Sequence, residues 1–405
     1  MSKDKDYNKT IYACFTGYIV QAIVNNFVPL LFLTFHKQFG IPMSRITFLI
    51  TFNFGMQLLI DLLSTKFVDR IGYRASMILA DACAAAGFIL LAVLPFAMRD
   101  PFAGIFLAVM VYAVGGGLTE VLISPIMEAC PTDSKDAAMS LLHSFYCWGH
   151  VGVVLLSTIF FSAFGTEHWP VLAVIWAAVP LWNLVTFSKV PIGTLIEDGE
   201  TGLSFRDLAA SSLFWILMLM MLCAGASEQA VSQWASTFAE SGLGVSKTLG
   251  DLFGPMLFAA MMGISRTVYG RYGEKLDLHR FMRAGIFLCI LSYLIIVFIP
   301  NPVIGLIGCG LTGFSVGIFW PGTFSLGTAG IRNGGTVMFA LFALAGDVGC
   351  GFGPTVAGAV ASAFGDNLRK GILAAIVFPA AMGIGAFLYR KNKSRSAAVS
   401  VSRGV

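Results

Sequence analysis

Acidic residues lie inside long apolar stretches of this 405-residue chain, among them Asp61, Asp81, Glu120, Glu228 and Asp347. A charge at the centre of a bilayer costs roughly 2.5–3.5 kcal/mol on insertion scales, so such residues are expected to face a cavity or another polar group. Burial disfavours the carboxylate anion, which suits an acid that must load and release a proton near working pH. The acids therefore predict proton-linked chemistry inside a membrane.

Three of these acids are the predicted proton-coupling residues: Glu120, Glu228 and Asp347. Glu120 follows the glycines 115–117, which permit close approach or bending of helices. Glu120 and Glu228 also have a structural interpretation, as carboxylates bonded to a neighbouring helix. Asp61 and Asp81 lie nearer the predicted cytoplasmic side and are interpreted as latch partners.

Amide, imidazole and aromatic side chains in the same stretches could bind a small polar solute. Amides and neutral imidazoles bond hydroxyl groups, and aromatic rings stack on the face of a sugar. A satisfied core histidine and simple aromatic packing are the alternatives. The predicted substrate-binding residues are Gln21, Asn25, Asn26, His143, Tyr146, His150, Gln229, Gln233, Trp234 and Trp320.

The elements that must position these residues are membrane-spanning helices. The chain is 57% hydrophobic and 12% charged, whereas a soluble domain carries roughly 25% charged residues. A helix that crosses the hydrocarbon needs about 20 largely apolar residues. Twelve segments qualify, and no Lys or Arg lies in the middle of any of them: 11–35, 45–66, 75–98, 102–128, 137–164, 169–188, 209–238, 248–269, 281–299, 302–328, 335–363 and 371–389.

The net charge, the cysteine pattern and the distribution of basic residues indicate which partners and surroundings to expect. A net charge of +4 does not suggest a nucleic-acid partner. The eight cysteines form no CxxC pair, so that neither a metal site nor a disulfide framework is predicted. No cofactor is expected. Most of the 26 basic residues fall on one side of the spans, which places both termini in the cytoplasm. We expect a multi-pass monomer in a bacterial cytoplasmic (inner) membrane, with the lipid bilayer as its surroundings.

The chain divides into two related halves. Arg70 to Arg74, after span two, and Arg271 to Lys275, after span eight, share the pattern R-x-G-x-[RK], and further short matches fall at equivalent places in each half. Such an internal repeat predicts a duplicated six-helix unit. We predict an N-terminal bundle over 1–190, a cytoplasmic linker over 191–208, a C-terminal bundle over 209–392 and a cytoplasmic tail over 393–405.

The segment from Thr65 to Arg74 resembles the signature G-x-x-x-D-R-x-G-R-[RK] of the major facilitator superfamily, with departures at Thr65 and Tyr73. The resemblance implies an all-α polytopic membrane protein with twelve transmembrane helices in two pseudo-symmetric six-helix bundles. The signature acid and bases would form a charged latch at the membrane surface. The predicted latch residues are Asp69, Arg70, Gly72, Arg74, Arg271 and Gly273.

Within that superfamily the chain is most similar to the fucose-permease branch of proton-coupled sugar carriers. The similarity lies in residues 141–146 of span five, 320–322 of span ten, and 346–349 with 353–354 of span eleven. The superfamily resemblance implies that span four lines a central cavity, and Glu120 resembles the fourth-span glutamate of this branch, so Glu120 is the first choice for proton coupling. The branch carries a carboxylate in span one, whereas no acid occurs here between Ile11 and Phe35. Proton coupling would then rest on Glu120 alone, shift to another acid, or be absent.

The resemblance implies a secondary active transporter that works by alternating access. Acids without central bases favour neutral or cationic solutes, so we expect proton-coupled uptake of a sugar or a similar small polar solute. Sodium is an alternative coupling ion, and a proton-coupled exporter of drugs or metabolites is the alternative function. An enzyme is not expected, because the chain has no HExxH, GxSxG or paired catalytic aspartate motif.

Overall fold

The computed structural model describes residues 6–193, 195, 202–233, 235, 236, 239, 243–365 and 367–403, and these ranges contain helices and connecting turns but no strand. The first half contains α1 (Asn8–Asn26), α2 (Phe32–Phe39), α3 (Met43–Ile71), α4 (Tyr73–Ala97), α5 (Pro101–Ala129), α6 (Lys135–Phe164) and α7 (Trp169–Phe187). A short helix, α8 (Phe205–Ala209), lies in the predicted linker. The second half contains α9 (Ser212–Ser232), α10 (Lys247–Tyr272), α11 (Leu278–Phe298), α12 (Pro302–Val316), α13 (Phe319–Gly330), α14 (Gly335–Ala363), α15 (Leu368–Ala375) and α16 (Val377–Arg403).

Twelve spans in two six-helix bundles are confirmed as the architecture. Among the described residues, ten helical segments are long and apolar enough to cross a membrane, counting α1–α2, α12–α13 and α15–α16 as single interrupted spans. The other two predicted spans are α3, of 29 residues, and α10, of 26 residues. Both are long enough to cross the bilayer.

The chain separates into two compact units, residues 1–132 with 145–198 and residues 133–144 with 199–405. In the first unit, small residues bring α5 against α4. A Cβ atom added at Gly115 would lie 2.6 Å from the carbonyl oxygen of Ala80. Such close backbone approach is typical of membrane helices, which associate through van der Waals packing where small residues meet.

In the second unit, α14 packs against α9 in the same way. A Cβ atom at Gly349 would clash with the carbonyl oxygen of Leu222. The beginning of α6 also belongs to this unit, where Ser140 Oγ donates a hydrogen bond of 2.9 Å to the backbone oxygen of Arg266 in α10. The bundle boundaries predicted at 190 and 208 stay predictions.

Candidate functional site

A carboxylate–amide pair, formed by a partly buried Glu120 and a buried Gln21, lies in the first unit between spans one and four. Gln21 Nε2 of α1 donates a hydrogen bond of 3.0 Å to Glu120 Oε2 of α5. Gln21 is 2% exposed, and its Oε1 atom is buried and accepts no hydrogen bond from the described residues. The predicted first-choice acid therefore contacts a predicted substrate-binding amide.

Asn25, one helical turn after Gln21, is the centre of a second polar cluster. Its Oδ1 atom accepts hydrogen bonds from Asn53 Nδ2 at 3.1 Å and from Gln57 Nε2 at 2.8 Å, both on α3. Its Nδ2 atom donates to the hydroxyl of Tyr146 on α6 at 3.4 Å. Asn25 thus joins spans one, two and five through neutral groups.

Gly116 lies where the two clusters meet. A Cβ atom at this position would lie 2.8 Å from Val24 Cγ1, 3.2 Å from Gln57 Nε2 and 3.4 Å from Gln21 Oε1. The missing side chain therefore leaves room for two amides beside each other in the apolar interior. Together the two clusters form a group of amide, hydroxyl and carboxylate side chains, which we name the first-unit cluster: Gln21, Asn25, Asn53, Gln57, Glu120 and Tyr146.

The second unit contains a buried ion pair. Arg266 Nη2 of α10 lies 3.8 Å from Glu228 Oε2 of α9, with side-chain exposures of 5% and 15%. Gln229 Nε2 donates to Glu228 Oε1 at 3.3 Å, and Ser232 Oγ donates to Gln229 Oε1 at 3.0 Å. Two predicted residues, Glu228 and Gln229, are thus brought together with a base that the sequence pattern did not reveal.

Three further candidates in the second unit, His143, Trp320 and Asp347, have contacts or positions on spans ten and eleven. The His143 ring is buried and stacks on Phe324 at 5.8 Å between centroids. The Trp320 indole covers Gly346, where an added Cβ would overlap the ring. Asp347, the residue after Gly346, is partly buried. These contacts favour packing for His143 and Trp320, which was the alternative interpretation of both.

Several predicted binding residues do not join either group. Asn26 Nδ2 donates to the backbone oxygen of Ala22 in its own helix at 2.8 Å. His150 is partly buried, and Gln233 ends α9 with an exposed side chain. Trp234 lies outside the described residues. The roles assigned to these four residues stay predictions.

The predicted latch contains one residue with a clear structural task. Arg74 Nη1 donates to the backbone oxygen of Phe187, and Nη2 donates to that of Val190, each at 2.7 Å. Phe187 ends α7, where carbonyl groups lack helical donors and a cation is favourable. Arg74 therefore caps the last span of the first unit within that unit.

The other latch residues lie at the two repeated turns. Gly72 ends α3 with φ +82°, a left-handed conformation that side chains rarely adopt. Arg70 and Arg271 are exposed, and the side chain of Asp69 lies outside the described part of the structure. Gly273 follows α10, where an added Cβ would lie 2.8 Å from Ala137 Cβ.

The two acids interpreted as latch partners are both buried completely, Asp61 in α3 and Asp81 in α4. Asn183 Nδ2 of α7 donates to Asp81 Oδ1 at 3.3 Å, and Asn183 is equally buried. Asp81 thus bonds a neighbouring helix of its own unit. Its latch role stays a prediction.

Three polar residues of these groups were missed from the sequence. Asn53 and Gln57 lie four residues apart on α3, so they share one face of the helix, and this spacing was available as a signal. Arg266 lies near the end of predicted span eight, outside the middle of the span, so it was not recognised as a buried base.

Comparisons with known proteins agree with this architecture. The sequence profile described as Major Facilitator Superfamily matches residues 13–354. The E. coli fucose:proton symporter FucP superimposes with a TM-score of 0.77 at 19% identity, over 95% of this chain and 99% of that one. The proton:xylose symporter XylE, bound to 6-bromo-6-deoxy-D-glucose, gives 0.79 at 11% identity, over 95% of each chain.

A human structure is similar as well. The organic anion transporter MFSD10 gives a TM-score of 0.69 at 18% identity, over 95% of this chain and 100% of that one. No protein of curated function matches the sequence itself. Identities this low indicate a shared fold and not a shared chemistry.

Proposed function

This chain belongs to the major facilitator superfamily, and on that premise we propose that it takes up a sugar or a similar small polar solute together with a proton, by alternating access. Membership makes it a multi-pass membrane transporter and not an enzyme. We further propose a monomer in a bacterial cytoplasmic membrane, with both termini in the cytoplasm and no cofactor.

The observation that carries this proposal is the hydrogen bond between Gln21 and Glu120 inside the first-unit cluster. An ionised Glu120 accepts from Gln21 Nε2, as the structure has it. A protonated Glu120 becomes a donor, and Gln21 Oε1 is a buried acceptor that takes no bond from the described residues. One amide can therefore satisfy both protonation states of the acid.

The second unit explains why we prefer Glu120 to Glu228 as the proton carrier. Glu228 faces the Arg266 guanidinium at 3.8 Å. A proton on Glu228 would remove the negative charge that lies 3.8 Å from a buried guanidinium, and breaking a buried pair in this way is strongly unfavourable. A proton on Glu120 leaves the neutral amide of Gln21 neutral.

The chemistry of the first-unit cluster supports a hydroxylated solute. Asn25, Asn53, Gln57 and Tyr146 are neutral groups that both donate and accept hydrogen bonds. A sugar hydroxyl also donates and accepts hydrogen bonds, so it can replace the hydrogen bonds among these side chains one at a time. The structural neighbours FucP and XylE are described as sugar:proton symporters, which is consistent with this choice. A neutral solute carried with one proton would gain about 2.3 kcal/mol per 100 mV of membrane potential.

The test is solid-supported-membrane electrophysiology on purified proteoliposomes. Hexoses, deoxy-sugars, polyols and organic cations are screened at two pH values, with and without sodium. We expect a transient current for a sugar that grows at acidic pH. Currents evoked only by organic cations or amphiphiles would indicate the exporter function in place of sugar uptake. Currents that require sodium would indicate that sodium, and not the proton, is the coupling ion.

Two isosteric variants assign the proton. Glu120→Gln removes the ionisable group and should abolish the pH-dependent part of the current. Glu167→Gln makes the same chemical change in the short turn Thr166–His168, where the carboxylate is 73% exposed, and serves as the matched control. Equal currents from both variants would exclude Glu120 as the coupling acid.

A further inference from the structure

The tenth span is interrupted between α12, which ends at Val316, and α13, which begins at Phe319. Pro321 follows the interruption. In a continuous helix the amide of residue 321 would donate to the carbonyl oxygen of Gly317, but proline has no N–H group. The next amide, that of Gly322, donates to Ile318 O at 2.8 Å. The carbonyl oxygen of Gly317 therefore lacks the helical donor that an amide at position 321 would supply.

Small residues bring this oxygen close to α10. Gly313 and Gly317 are four residues apart on the same face of span ten, a spacing that lets helix backbones touch in membranes. A Cβ atom at Gly313 would lie 2.6 Å from Phe258 O, and one at Gly317 would lie 2.9 Å from Ser265 Cβ. The Gly317 carbonyl is thus held beside the residue that follows Ser265, which is Arg266.

Arg266 supplies a donor to that oxygen. Its Nε atom donates to Gly317 O at 2.9 Å, and its Nη1 atom donates to the backbone oxygen of His143 at 3.1 Å. Its Nη2 atom lies 3.8 Å from Glu228 Oε2. A guanidinium offers five N–H groups in fixed directions, so one buried side chain reaches spans five, seven and ten at once. An unsatisfied carbonyl in a membrane interior would cost several kcal/mol.

We propose that Arg266 is a positioning residue that replaces the helical donor missing at the interruption of span ten, and that it thereby links this interruption to the Glu228 carboxylate. The interruption of span ten and the Arg266–Glu228 ion pair are then coupled, because the same guanidinium bonds the Gly317 carbonyl oxygen and pairs with the Glu228 carboxylate. A change at Glu228 would be transmitted to the point where span ten can bend. This inference deepens the proposed transport function, but its test needs no substrate, so the two can fail separately.

The test is a double-mutant cycle between Arg266 and Pro321. Arg266→Lys keeps a positive charge for Glu228, but a lysine has donors on one atom only and cannot bond both carbonyls and the carboxylate. Pro321→Ala returns an N–H group that can bond Gly317 O directly. Melting temperatures are measured on purified full-length protein in detergent for both single variants, the double variant and the unchanged chain.

We expect Arg266→Lys to lower the melting temperature by several degrees when Pro321 is present and by clearly less when alanine replaces it. Arg283→Lys is the matched control, because Arg283 Nε donates within its own helix to His279 O, and this change should not depend on residue 321. Equal losses in the two backgrounds would overturn the proposal, since a merely structural arginine would not be sensitive to the amide at 321.

Hydrogen–deuterium exchange gives a second measurement for the same four proteins. Arg266→Lys should speed exchange in peptides covering residues 316–324, and Pro321→Ala should remove that effect. If Arg266→Lys does not fold, recovery of folded protein in the double variant supports the proposal. Failure of the double variant to fold, with Pro321→Ala folded, would overturn it.

Discussion

Replacing Asn25 by alanine tests whether the first-unit cluster is one connected network. Asn53 and Gln57 are 6% and 1% exposed, and both donate to Asn25 Oδ1. A buried donor that loses its acceptor costs about 1–3 kcal/mol. Two orphaned donors therefore predict that Asn25→Ala lowers the free energy of unfolding by about 2–6 kcal/mol.

The neighbouring residue supplies a control of the same type. Among the described residues, Asn26 donates to a backbone oxygen of its own helix, so that Asn26→Ala removes donor and bond together and should cost less than about 1.5 kcal/mol. Steric trapping in bicelles measures both values on the full chain. Equal costs for the two variants would refute the network, as would a cost below about 1 kcal/mol for Asn25→Ala.

Three further predictions concern packing, the cap on α7 and the linker. Gly349→Ala should lower the free energy of unfolding by about 1–3 kcal/mol through overpacking on Leu222. Gly351→Ala is the control and should not lower it, because no atom lies within 4 Å of the added Cβ. Equal unfolding free energies for the two variants would contradict the tight packing of α14 on α9. Arg74→Ala should speed trypsin cleavage after Lys189 several-fold, because the hydrogen bonds to Phe187 and Val190 disappear. Arg70→Ala is the control. An unchanged cleavage rate in Arg74→Ala would show that the cap does not hold this segment. Hydrogen bonds from the Ser204 hydroxyl and backbone lower the pKa of Asp207, which begins the linker helix α8; Ser204→Ala should raise that pKa towards its ordinary value in a carbon-13 NMR titration, and the cap is lost as pH falls through the Asp207 pKa.

The spans and the leading acid could be predicted from the sequence because the bilayer imposes a simple rule on them. About 20 apolar residues are needed for each crossing, and an acid within them is conspicuous. Glu120 was found in this way, and it does contact a polar side chain. The latch arginine Arg74 was found through its repeat, although its described contacts cap a helix of its own unit.

Partners could not be predicted in the same way, because they depend on helix rotation and on close packing between distant segments. Gln21 meets Glu120 across 99 positions of the chain, and nothing in either local sequence states that distance. Arg266 looked like an ordinary basic residue near a span end. Only the three-dimensional position of Gly317 beside α10 shows that Arg266 is buried and why the Gly317 carbonyl oxygen needs Arg266 as a donor.

The central claim is that Glu120 carries the coupled proton, and the most direct measurement compares two modes of transport in one variant. Proteoliposomes with Glu120→Gln are assayed with the sugar found in the screen, once for accumulation driven by a pH gradient and once for exchange of labelled against unlabelled sugar. Accumulation should be lost while exchange persists, since exchange needs alternating access but no net proton movement. Accumulation that survives in Glu120→Gln at the level of the Glu167→Gln control would contradict the claim.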